Sequence, residues 1–318
     1  MNKKFSLILA ISCMMYSCAT KTDSNPLLSE FKTQYGVPPF DQIKTEHYEP
    51  AFNEGMAEQN ANIEKIVTTD EAPTFDNVIV ALDNSSPILN RVEGVFFNLT
   101  EAETTPELTA LSVKMAPVLS EHSDNISLNA ALFSKVKAVY DKKEELKLTT
   151  EQQRLLEKTY QDFVRSGANL SPAEQQRLRD INKQLSTLEL TFSNNILNEN
   201  NAFKLYVSRE ADLEGLPEWF RESAAAEARG YGEEGKWLFT LHNASRLPLL
   251  QYSANRPLRE QIYNAYINRG NNNDKNDNKK VITDIVSLRL EKAKLMGYDN
   301  FSDFQLANKM AKNSATVM

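Results

Sequence analysis

From Ser171 onward the chain reads SPAEQQRLRDINKQLSTLELTFSNNI, and in it Leu178, Ile181, Leu185, Leu188, Phe192 and Ile196 recur every three or four residues. That spacing follows the 3.6-residue period of an α-helix and gathers all six on one side, which another element must cover. The start is equally specific. Ser171 and Glu174 form a capping box around Pro172, a residue favoured at the first helical position because the N–H it lacks would be unpaired there anyway. A helix this long with one apolar stripe calls for a core of helices packed against it, so the stripe reads as core and not as a cofactor contact.

Other helices announce themselves in the same way. Tyr48, Phe52, Met56, Ile63 and Val67 carry a stripe after the turn VPPFDQIKTEH, and Thr74 reads as the cap of FDNVIVALDN. Thr105-Pro106-Glu107 opens another helix, and Thr150 with Gln153 reads as a capping box for a helix that closes at Gly167. Between about Phe203 and Leu250 the period changes: FKLYV and KWLFTL alternate as short strands, with a helix from Pro217 to about Arg229 between them. Helices resume in RPLREQIYNAYINRG and NKKVITDIVSLRLEKAKLMG, joined by the Asn- and Asp-rich stretch 271–278, which reads as a solvated loop. Phe304, Ala307, Met310 and Ala311 carry one further helix, and Ser314 reads as the N-cap of the next, with Val317 its first sizeable apolar residue. The expected fold class is mainly α, a multi-helix body with a small β insertion around 203–250.

The first residues suggest an address. Lys3 and Lys4 precede a charge-free, mostly apolar run from Phe5 to Tyr16, followed by Ser17 and Cys18. The run is short of the ~20 residues that span a bilayer and suits the h-region of a secretory signal. A small residue before a Cys at the end of such a run resembles a bacterial lipobox. Cys18 is therefore the expected lipidation site, with Cys13 as the alternative. The expected organisation is a lipoprotein signal peptide over 1–17, a lipid-anchored tether over 18–39 and a helical body over 40–318. The protein is expected in the bacterial cell envelope, held to the membrane by its lipid anchor, facing the periplasm and monomeric. Both cysteines of the chain fall in this leader. Cleavage before Cys18 and lipidation of that thiol remove Cys-based catalysis, Cys-based metal binding and disulfides from the mature protein.

Local motifs for chemistry are missing. A net charge of −7 argues against nucleic acid as a partner, because phosphate binding needs clustered Lys and Arg. GYGEEG at 230–235 matches the spacing of a dinucleotide loop, but it follows a helix and precedes a strand, the reverse of the order that presents a helix N-terminus to pyrophosphate. The three histidines, His47, His122 and His242, form no H-E-x-x-H pair, in which residues four apart on a helix would put two imidazoles on one zinc ion. No G-x-S-x-G elbow is present, and NNNDKNDNKK lacks the glycine and terminal Glu of a calcium loop.

Longer runs carry a resemblance. YGVPPFDQIKTEHYEPAFNEGM, APTFDNVIVALDNSSPILNRVEGVFFNL and the stretch from SRLPLLQYSANRPLREQIYNAYINRG to LANKMAKN are similar, in that order, to the N-terminal half of bacterial peptidyl-dipeptidases. These belong to the thimet oligopeptidase and oligopeptidase A family of zinc metallopeptidases. The resemblance implies a channel between two helical halves, oligopeptide substrates cut to release C-terminal dipeptides, and a zinc ion held by H-E-x-x-H and a downstream Glu. Those ligands fall beyond the position corresponding to Met318, so no catalytic, cofactor-binding or metal-binding residue is assigned to this chain. On this reading the 318 residues are a truncated substrate-channel half, inactive alone, that exposes an apolar face. The alternative is a non-catalytic, lipid-anchored helical protein that binds peptides or a partner.

Overall fold

Side-chain caps decide where the main helices begin. Thr105 Oγ1 accepts from Leu108 N at 3.2 Å, Asn129 Oδ1 from Leu132 N at 3.0 Å, and Asn255 Oδ1 from Leu258 N at 3.1 Å. Each satisfies one of the donors that a helix N-terminus leaves without an internal acceptor. Residues 25–318 are described by a computed structural model. They form α1 (Thr45–Thr68), a π-helical turn (Phe75–Val80) continued by α2 (Ala81–Asp83), α3 (Pro87–Ala102), α4 (Pro106–Ser127), α5 (Ala130–Tyr140), α6 (Thr150–Arg165) and α7 (Pro172–Ala202). After β1 (Leu205–Val207) come α8 (Glu218–Gly230), β2 (Trp237–Phe239), α9 (Asn243–Tyr252), α10 (Arg256–Ile267), α11 (Lys279–Leu295), α12 (Phe301–Leu306) and α13 (Ser314–Val317). The fold is mainly α. Its two strands pair antiparallel with Leu205 opposite Phe239, in the region where the sequence switches to alternation.

The 31-residue α7 organises the body. At 1.5 Å per residue it runs about 46 Å. One side of it is covered by α4 and another by α11. Leu178 and Ile181 are wholly buried and Leu185 nearly so, whereas Leu188 and Ile196 are half-buried and Phe192 is exposed. The predicted stripe is thus core over its first half only. On α11, Ile285 and Leu288 seal against Ile181 and Leu185, and Ile282, Val286 and Leu290 remain exposed. Three further clusters complete the core: one around Phe52, Val92 and Phe96 between α1, α3 and α4, one around Ile79, Val136 and Leu156 between α1, α5 and α6, and one around Phe220, Phe239 and Ile262 over the two strands.

Several boundaries differ from the sequence reading. TTEQQ contains two T-x-x-Q pairs, and the capping box uses Thr149 and Gln152, not Thr150 and Gln153. Asn313 caps α13, while Ser314 is its first residue and donates its hydroxyl to Asp303 Oδ1 at 2.6 Å. Within the stretch read as a tether, Asn25 to Leu27 dock against the body, while 28–30 and 32–37 are exposed. Leu27 is fully buried among Tyr48, Phe52 and Val92, Asn25 Nδ2 donates to the His47 carbonyl at 2.7 Å, and Arg91 donates to the Leu27 carbonyl at 3.2 Å. The 271–278 stretch is solvent-exposed over 271–275, as read, but its end is anchored. Asn278 is 1% exposed, donating to the Phe192 carbonyl at 3.1 Å and accepting from Asn195 at 2.8 Å, and Glu199 Oε2 takes Gly270 N at 2.9 Å. Buried amides need partners, and the C-terminal turns of α7 supply them. Among the described residues no helix is long and apolar enough to cross a membrane.

Candidate functional site

Two concavities flank the C-terminal half of α4. On one side lies a cleft of about 380 Å³ against α1, α3 and α6, and on the other a cleft of about 650 Å³ against α6, α7, α11 and α12. Ser123, Ser127 and Ser166 line both, so the two clefts adjoin.

His122 and Glu93 belong to the first cleft. His122 is 8% exposed, and its Nε2 stands 2.7 Å from Gln59 Oε1. Burial depresses its pKa, so near neutral pH the ring is uncharged and Nε2–H donates to the amide oxygen. Burial also raises the Glu93 carboxyl, which holds its proton to higher pH than an exposed glutamate. No serine hydroxyl among the described residues bonds to His122, so the imidazole activates no nucleophile here.

The second cleft holds a chain of polar contacts between three helices. Asn182 on α7 donates Nδ2 to Asp124 Oδ1 on α4 at 2.7 Å and accepts from Lys292 Nζ on α11 at 2.7 Å. Asp124 is 6% exposed. Burial raises its pKa against the lowering pull of Asn182, Arg179 and Lys292. Burial likewise depresses Lys292, Asp124 and Glu189 raise it, and Arg165 and Arg289 add to the depression. At the rim Arg289 pairs with Glu189 at 2.6 Å. The Arg165 guanidinium lies 4.4 Å over the Phe304 ring and donates to the Phe304 carbonyl at 2.7 Å. Such a surface can bind and orient a polar chain.

A zinc ion finds no cradle in these residues. His47 Nδ1 accepts from Lys44 N at 3.1 Å at the start of α1, His122 is committed to Gln59, and His242 is exposed ahead of α9. Among the described residues no group of three His, Cys, Asp or Glu side chains is gathered as a metal would require. Cys18, the expected lipidation site, lies outside the described residues.

Comparison with known proteins finds relatives along most of the chain. The chain is 37% identical over 297 residues to the dipeptidyl carboxypeptidase of Escherichia coli (strain K12), an alignment covering 93% of this chain and 44% of that protein. It is 35% identical over 299 residues to the oligopeptidase A of Haemophilus influenzae, covering 93% and 43% respectively, and 24% identical over 255 residues to saccharolysin of Saccharomyces cerevisiae. The model of peptidase family M3 matches residues 249–318. The chain belongs to peptidase family M3.

This M3 chain spans a little under half the length of the curated bacterial relatives it matches. The matched segment 249–318 contains α10 to α13, including Arg289 and Lys292 of the second cleft. Sequence reading had singled out neither of them, nor Asp124, Asn182 or His122 as a member of a site. Nothing local marks them: Asp124 lies in the polar run SEHSDN, and Asn182 is one polar residue beside Ile181 on the long helix.

Proposed function

We infer that this chain forms the substrate-facing, non-catalytic wall of a zinc-dependent M3 oligopeptidase of the dipeptidyl carboxypeptidase kind. The observation that carries the reading is the 37% identity to a dipeptidyl carboxypeptidase, sustained over 93% of the chain. The adjoining clefts along α4 support it: hydrogen-bonding groups along a helical wall suit an extended peptide, whose backbone amides need partners when they leave water. The metal and the water-activating Glu belong to sequence other than these 318 residues, which hold no H-E-x-x-H. The protein is anchored by acyl groups on Cys18 in the bacterial envelope, where the several chains of a processed lipoprotein, at about 0.8 kcal/mol per buried CH₂, hold it stably.

The test is to incubate the purified chain with an oligopeptide bearing a free C-terminus, following dipeptide release by mass spectrometry and binding by calorimetry, with and without chelator. The expected result is saturable peptide binding without release. Dipeptide release abolished by the chelator overturns the non-catalytic assignment, and absence of any peptide binding overturns the substrate-facing one.

A further inference from the structure

The second cleft carries more positive charge than its own carboxylates neutralise at contact distance. Arg165, Arg289 and Lys292 line it against Asp124 and Glu189. Glu189 is taken by Arg289 at 2.6 Å. Lys292 Nζ has a neutral partner, the Asn182 amide oxygen, and Asp124 is reached only through the other end of that amide. Arg165 is likewise bonded to a neutral group, the Phe304 carbonyl. Among the described residues neither Arg165 nor Lys292 makes an ion pair. A partly buried ammonium and a guanidinium that line one cleft and bond only neutral acceptors form an arrangement that an incoming anion stabilises, because part of the desolvation is already spent.

Geometry narrows the ligand. The cleft is open on one side and, at about 650 Å³, admits a side chain or a chain terminus together with its backbone. Ser186 and Gln305 offer further uncharged hydrogen-bonding groups, and Leu185 and Phe301 form an apolar flank. The geometry points to Arg165 and Lys292 as a subsite for the carboxylate of an oligopeptide, either an acidic side chain or the free C-terminus. The choice of a peptide rests on the function proposed above. Asn182 is the positioning residue: it holds Lys292 through Oδ1 while its own orientation is fixed by Asp124.

Four capped peptides of one length test this in the full chain: an N-acetyl tetra-alanine as acid and as amide, and the same pair with one internal Ala replaced by Glu. Calorimetry should show the neutral amide binding at least tenfold more weakly than a peptide carrying a carboxylate. The position of the effective carboxylate tells the side chain from the terminus. Lys292→Met and Arg165→Met should each erase that preference, so that within each variant acid and amide peptides bind alike, and Lys292→Arg should keep it; circular dichroism checks that each variant folds. Equal affinity for all four peptides overturns the subsite. Glutarate, titrated against the Asn182 side-chain amide resonance, separates the two readings. A shift with no peptide binding leaves the carboxylate subsite standing and removes the peptidase wall. Charge-blind peptide binding with no glutarate shift does the opposite.

Discussion

Replacing Gly55 by Ala sets two effects against each other on α1. In a helix interior Ala is favoured over Gly by about 1 kcal/mol, because glycine loses more backbone freedom on folding. Gly55 is buried, however, and a Cβ built there would stand 2.8 Å from Leu89 N, 2.9 Å from Leu89 Cα and 3.1 Å from Leu89 Cβ. These atoms belong to the first turn of α3, which cannot simply swing away. Glu58 Oε2 accepts from Ile88 N at 3.1 Å, and Asn62 Nδ2 donates to the Ser85 carbonyl at 2.9 Å. Relief therefore means separating α1 from α3 by several tenths of an ångström and loosening Leu89 and Val92, an overpacking cost of ~1–3 kcal/mol. The propensity gain offsets about 1 kcal/mol of it, leaving a net loss of up to about 2 kcal/mol. For a body of this size that lowers Tm by up to roughly 8 °C. Gly94→Ala is the control: it lies within α3 with nothing within 4 Å of its Cβ, so it carries the propensity gain alone and should raise Tm. Thermal unfolding of both variants by circular dichroism decides the matter. If Gly55→Ala raises Tm as Gly94→Ala does, the close approach of the two helices is not a constraint and the reasoning fails.

Three shorter expectations follow. His122 has a folded-state pKa depressed by burial, so from its ordinary value near 6.5 downward the unfolded chain binds more protons than the folded one. Its contribution is complete above that range and is lost as pH falls through it; Tm should drop more steeply below pH 6.5 in the parent chain than in His122→Gln, and parallel profiles would count against a buried neutral ring. Asn278→Ala leaves the Phe192 carbonyl and the Asn195 amide without their partners and should cost about 2–3 kcal/mol, read as a lower urea midpoint at unchanged slope. Cys18→Ser should move the protein from the membrane to the soluble fraction of a bacterial envelope preparation; retention on membranes with an unprocessed mass would point to Cys13 or an uncleaved leader.

What could be read in advance was local in the chain. A capping box joins residues three apart, a helical stripe joins residues three or four apart, and strand alternation joins residues two apart, so Thr105, Ser171, the stripe on α7 and the pair β1–β2 are visible without any tertiary information. Even there, TTEQQ offers two equivalent boxes, and only the extended backbone at Thr149 selects one. The second cleft has no such local signature. Asp124 and Asn182 stand 58 residues apart in sequence, and Asn182 and Lys292 110 apart. Nothing in α4, α7 or α11 alone says that they meet, because an amphipathic period states which face is apolar and not which neighbour covers it.

The sequence by itself thus determined a mainly helical body, its element order, the small β insertion and, through long runs of similarity, membership of a peptidase family. The tertiary structure decided that the start of the described chain docks through Leu27, that the Asn-rich loop is anchored to α7 through Asn278, and that three separate helices converge on one polar cleft. The physical reason is the range of the forces involved. Backbone hydrogen bonds and caps are satisfied within a turn, so short stretches specify them. Burial of Leu27 or Asn278 and the amide link from Asp124 to Lys292 depend on which surfaces meet, and that is settled only when the whole core excludes water.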